Sequence, residues 1–135
     1  MMERARMATK ADLQVFKPAP KDPQPRRSEP YRRWVAVGQC KRCHVSGWSQ
    51  AAHPNKGGKA KGRKMDDGLC FALCCDRPGI VGCHTMHDQY KLLPADKIEV
   101  WEQAWATETQ FAAYVVGKWP RAWDLPESVK GMKTL

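Results

Sequence analysis

The six cysteines of this chain all fall between positions 40 and 83. Cys40 and Cys43 form a Cys-x2-Cys pair, which sets two thiolates on one tight turn, as a tetrahedral zinc ion requires. A second, less regular group follows at Cys74, Cys75 and Cys83. Two pairs at this separation are the corners of a structural zinc site, and Cys74 with Cys83 completes the tetrad, Cys75 being the alternative to Cys74. Cys70 lies in an apolar run and reads as a buried free thiol, and His44, next to Cys43, as an exposed side chain. Between the pairs, beyond His44, stands His53. A second cluster, His84, His87 and Asp88, follows the last cysteine at once.

Elements must exist to hold these groups. Tyr31 to Val37 fits one or two helical turns with Tyr31, Trp34 and Val35 turned inward, stopped by Gly38. Residues 46–53 read as a short strand, and Leu69 to Leu73 as a second one. Asp76-Arg77-Pro78-Gly79 is a turn signal, and Cys83 to Tyr90 reads as a helix. Residues 94–117 give the clearest helical pattern. Pro94 suits its first turn, and Asp96 and Glu99 favour its positive end. Its apolar residues Ile98, Trp101, Trp105, Ala112 and Val115 recur at helical spacing, with Phe111 and Val116 beside them, and form core or a lid. Gly117 and Pro120 stop it, and Trp119 and Trp123 are expected to fold back onto the core.

The chain divides into three parts. Residues 1–30 carry Pro18, Pro20, Pro23, Pro25 and Pro30 among scattered charges and read as a disordered basic arm. At its end Arg26, Arg27, Arg32 and Arg33 are either phosphate contacts or a solvated linker. Residues 31–92 hold the metal-binding domain, and residues 93–135 add a helix and tail that pack on it. The whole is a small α+β protein of 135 residues, short enough that a metal staple aids stability.

With 23 Lys+Arg against 14 Asp+Glu the formal net charge is +9, which favours an anionic partner, nucleic acid foremost. No run approaches the apolar length of a membrane span. Basic residues near the N-terminus lack an apolar stretch beside them, and Glu3 and Asp12 disfavour a transit peptide. A reducing, cytoplasmic setting is therefore expected, where clustered cysteines serve as metal ligands and not as disulfides. Nothing in the sequence sets the oligomeric state.

The ordered set Cys40-x2-Cys43, Ala52-His53, Gly57-Gly58 among basic residues, Lys64-x2-Asp67, Leu73-Cys74 and Cys83-His84-x3-Asp88 resembles the HNH endonuclease family in its zinc-stapled form. The likeness is strongest to small phage-encoded nucleases of recombination and DNA processing, and it covers residues 31–90. It implies a ββα-metal finger, here with an added C-terminal amphipathic helix, working in the cytoplasm of a bacterial host cell if phage-encoded. On the matching positions, His53 would be the general base that takes a proton from the attacking water, since an imidazole titrates near working pH. His84 and Asp88 would hold the catalytic cation, because residues i and i+4 share one helix face. His87 could replace Asp88 or hydrogen-bond a phosphate. Such ligands suit Mg²⁺, Mn²⁺ or Zn²⁺, and the cation would polarise the scissile phosphate. Where many members carry two adjacent polar residues, this chain has Ala52-His53-Pro54. Asp67 stands near the position of the motif's asparagine, and Asn55 comes too early for it.

Directly after His53, Lys56, Lys59, Lys61, Arg63 and Lys64 lie on a glycine-rich loop suited to close approach and to neutralising DNA phosphates. Phosphate contacts position DNA without reading sequence, so weak or structure-based specificity is expected. The competing expectation is a non-catalytic zinc module that binds DNA or a protein, with structural histidines. A thiol redox protein is disfavoured, for the chain lacks a thioredoxin-like βαβ context.

Overall fold

The computed structural model describes residues 25–56 and 66–130. They form a small α+β domain whose two-stranded antiparallel sheet is flanked by helices. Helix α1 spans Glu29–Val37, strand β1 Ser49–Ala52, strand β2 Phe71–Cys74, helix α2 Cys83–Asp88, helix α3 Ile98–Val115 and helix α4 Glu127–Lys130. Single 3₁₀ turns precede β2 at Asp67–Leu69 and α3 at Ala95–Lys97.

Helix α1 starts two residues earlier than the apolar pattern indicates, because Ser28 caps it. The Ser28 hydroxyl accepts the Tyr31 N–H at 3.2 Å, a proline fits the first turn, and Glu29 faces the positive end of the helix dipole. Tyr31 and Val35 are buried as expected, whereas Trp34 is only half-buried. The strands pair Ser49 with Cys74 through Ala52 with Phe71. Both are shorter than expected, and Leu69 belongs to the 3₁₀ turn. Alternation sends Ala52, Phe71 and Leu73 to one face, where they meet Ile98, Trp105 and Ala106 of α3. Ala51 and Ala72 point to the other face and leave room for Tyr31, Val35 and the returning Trp119. Tyr31 meets the Trp119 and Trp123 rings edge-on at 5.4 Å each, so both tryptophans do fold back onto the core.

Helix α3 buries part of the face its apolar spacing indicates, Ile98 and Trp105, and turns the rest of it outward. Ile98, Glu102, Trp105, Ala106, Thr109, Gln110 and Ala113 turn inward, while Trp101, Ala112 and Val115 are exposed. The polar members explain the rotation. Gln110 donates from Nε2 to the Gly68 carbonyl at 2.7 Å, and Glu102 accepts the N–H groups of Asn55 and Lys56. Bonds to loop backbone compensate for burying these polar groups, and the larger apolar side chains are left at the rim. Residues 94–97 form a turn and not helix, and Gly117, at φ +79°, closes the far end. Among the described residues no helix is long and apolar enough to cross a membrane.

A candidate metal centre and the histidines beside it

The first cysteine knuckle follows α1. The Cys40 N–H donates to the Val45 carbonyl at 3.0 Å and the His44 N–H to the Cys40 carbonyl at 2.9 Å, which folds the chain back on itself. His44 takes the left-handed conformation that closes the turn, at φ +68°, and its side chain is exposed and outside the group of thiols. The second knuckle joins the end of β2 to the start of α2. Gly82 makes it possible: a Cβ there would lie 2.3 Å from the Cys75 carbonyl carbon and 2.5 Å from the Cys74 oxygen. Its N–H is held at 2.7 Å by Asp76, which also accepts the Thr85 hydroxyl.

These turns bring the sulfurs of Cys40, Cys43, Cys74 and Cys83 within 4.8 Å of one another. The Cys43 and Cys74 sulfurs are 3.7 Å apart, against the edge of about 3.8 Å for a tetrahedron with Zn–S bonds of about 2.3 Å. Backbone N–H groups of Cys43 and Cys83 point at the Cys40 and Cys74 sulfurs, at 3.4 and 3.2 Å, and favour thiolates. At Cys40, burial opposes ionisation, but N–H groups of Cys43, Cys74 and Arg42 prevail and bring the thiol down to about 7. At Cys83, burial and the neighbouring thiolates push the thiol up. A cation among the four removes this conflict, because each thiolate then faces positive charge. The tetrad is therefore close enough, and of the right chemistry, to hold a metal ion such as zinc. Cys74 is the member, and Cys75 is not: it is half-buried and its N–H bonds the Trp48 carbonyl. Cys70 is a buried free thiol, pushed up to about 12 by burial.

His53 follows β1 directly. Its Nε2 lies 2.8 Å from Oδ1 of Asp67, a fully buried carboxylate. Asp67 also accepts the Ser28 N–H at 2.7 Å and the Arg32 guanidinium. Burial would raise its carboxyl, yet these donors win and hold it below the usual carboxylate range. Arg26 binds the adjacent Asp66 at 2.9 Å and lies over the Trp119 and Trp123 rings, and Arg27 approaches Asp67 at 3.9 Å. Arg33 pairs with Glu29 at 2.6 Å. The arginines read from sequence as phosphate contacts or linker thus pair with carboxylates of the domain, and residues 25–30 pack onto it.

On α2, His84 and Asp88 share a face as their spacing requires, with Nε2 and Oδ2 3.7 Å apart. His84 Nδ1 is 2.8 Å from the Gln50 side-chain oxygen on β1. Burial holds His84 below the usual imidazole range, opposed by the charge of Asp88. His87 faces inward instead. It is buried, its Nε2 donates to the His53 carbonyl at 2.9 Å, and its ring meets Phe71 edge-on. It therefore braces the turn at His53 and is not turned toward a phosphate or a shared cation. Asn55 does the same from the other side, donating from Nδ2 to the His87 carbonyl at 2.6 Å. Glu102 closes this set from α3, 1 % exposed, with Oε2 3.5 Å from His87 Nε2.

Gln50 and Glu102 escaped the sequence reading, and Asn55 was set aside there as too early for the motif. Gln50, Asn55 and Glu102 are polar groups whose partners lie 32 to 47 residues away, a separation that no local pattern encodes. Lys56 is half-exposed and its N–H is fixed by Glu102. Lys59, Lys61, Arg63 and Lys64 lie outside the described residues. Among the described residues the thiol tetrad is the one group of three or more metal-binding side chains in reach of a common ion.

Fold and site together define a small α+β domain built around a four-cysteine cluster, with a carboxylate-held histidine at the end of its first strand. No family model, no characterised protein and no solved structure matches the chain.

Proposed function

We propose that this protein is a metal-dependent DNA endonuclease of the HNH type, its ββα finger formed by β1, β2 and α2 and stapled by zinc at Cys40, Cys43, Cys74 and Cys83. The observation that carries the reading is that the two histidines with candidate roles each have one nitrogen held by a named partner. With Nε2 donating to Asp67, His53 keeps its lone pair on Nδ1, where it can take a proton. With Nδ1 donating to Gln50, His84 presents Nε2 as a ligand atom beside the Asp88 carboxylate. The two atoms are 3.7 Å apart, so both could serve one cation.

Asp67 then serves as the positioning residue. It fixes the His53 tautomer and stabilises the imidazolium that forms. His53 removes a proton from water as the water oxygen bonds to phosphorus and the bond from phosphorus to the leaving sugar oxygen breaks. His84 and Asp88 would hold a divalent cation, which would supply positive charge to stabilise the phosphate and the leaving oxygen. The net charge of +9 and Lys56 beside the site support an anionic polymer as substrate.

The ligand count favours one competitor, a zinc module that binds DNA without cutting it, since among the described residues only His84 and Asp88 are paired for a second cation. Supercoiled and single-stranded DNA, incubated with Mg²⁺ or Mn²⁺, separate the two. Nicking by the parent and its loss in His53→Ala support the nuclease. DNA binding by both proteins with no cleavage under either metal leaves the binding module.

A further inference from the structure

A groove of about 640 Å³ lies on the protein between the end of α1, the first cysteine knuckle and α3. That volume is typical of small-ligand sites, which span roughly 300–1,000 Å³. Trp34, Trp101 and Trp105 supply aromatic walls. Trp101 is 38 % exposed and meets Trp105 at an interplanar angle of 73°, so Trp105 does not stack on its ring face. The Arg42 guanidinium lies over the Trp101 ring, 5.4 Å from its centre, so a cation already faces that ring. Lys41 and His44 also reach the groove, and the Glu108 carboxylate at its edge is paired with Lys41 at 2.9 Å.

We propose that this groove takes an unpaired base of single-stranded DNA, stacked on Trp101, with its phosphate on Arg42. An aromatic wall with cations at the rim fits a flat, apolar base joined to an anionic backbone. Ala72, in the groove wall, pairs with Ala51 of β1, two residues before His53. The proposal rests on the nucleic-acid part of the functional reading and not on cleavage.

Fluorescence anisotropy with labelled oligothymidine and with a duplex of equal length, on the full zinc-loaded chain, tests it. Trp101→Ala is expected to weaken single-strand binding roughly five- to a hundredfold, the worth of one stacked base, and to change duplex binding less than about twofold. Trp101→Phe should retain most of the affinity. Arg42→Ala, an exposed change, should weaken single-strand binding a few-fold and reduce the salt slope by about one. A folded Trp101→Ala variant, with parental zinc content and circular dichroism, that binds oligothymidine like the parent overturns the proposal. Should that variant not fold, parental affinity in Arg42→Ala overturns it equally. Cleavage of duplex DNA together with such a result removes the groove alone, whereas Trp101-dependent binding without cleavage keeps the groove and removes the nuclease. A chain that binds no nucleic acid loses both.

Discussion

Glu102 is a buried carboxylate on the helix that follows the metal-binding unit, and its removal should loosen the turn after His53. It accepts the Asn55 N–H at 2.5 Å and the Lys56 N–H at 2.9 Å, and it lies 3.5 Å from His87. A hydrogen bond to a charged group contributes about 1.5–3 kcal/mol, so these two together contribute about 3–6 kcal/mol. Asn55 and Lys56 are half-buried, and water entering the space left by Glu102→Ala recovers part of this. A net loss of about 3–4 kcal/mol is expected, within the range for breaking a buried polar cluster from one side. With a urea dependence of about 2 kcal/mol per molar, the midpoint falls by about 1.5–2 M. Glu102→Gln keeps one acceptor but turns an amide N–H toward the other donor, so it should fall between the two. Hydrogen exchange localises the effect: Asn55 and Lys56 should lose more than a hundredfold in protection, at about 1.4 kcal/mol per tenfold. A midpoint shift below about 0.5 M, or unchanged protection at those two amides, would refute the assigned role of Glu102.

Further outcomes follow from the same geometry. Cys74→Ser should lose bound zinc and unfold on mild heating, whereas Cys75→Ser should keep one zinc per chain; metal analysis after gel filtration decides, and equal zinc in both variants removes the assigned tetrad. Asp67 is held below the usual carboxylate range, so its contribution to stability is complete above the unfolded value of about 3.9 and is lost as pH falls through the lower folded value. The gap in urea stability between the parent and Asp67→Asn should therefore narrow as pH falls below about 4. Gly82→Ala drives a methyl group into the backbone of Cys74 and Cys75 and should weaken zinc retention against a chelator; retention equal to the parent would show that the knuckle can shift at little cost.

The thiol tetrad was legible in the sequence because its spacing is a local property. A Cys-x2-Cys pair makes a knuckle wherever it falls, and four thiols in a small chain have few other uses. The helical pairing of His84 with Asp88 was legible for the same reason, since a helix fixes which side chains share a face. The choice between Cys74 and Cys75 was not, for adjacent residues on a strand point to opposite faces and only the packing of the sheet tells which face meets Cys40. The buried face of α3 was read correctly at Ile98 and Trp105 and missed elsewhere, because apolar spacing ignores the hydrogen-bonding needs of distant loops. Glu102 and Gln110 are drawn inward by the backbone N–H groups of Asn55 and Lys56 and by the Gly68 carbonyl, and Trp101 is turned out to the rim.

By itself, then, the sequence determined a basic α+β chain with four thiols spaced for a metal ion and a histidine between them. Tertiary structure decided the partners of that histidine and of those around it. Asp67, Gln50 and Glu102 meet His53, His84 and His87 across 14, 34 and 15 residues of chain respectively. Proximity of that kind comes from how a sheet and three helices close on one another, and a lone polar side chain carries no periodicity that announces it.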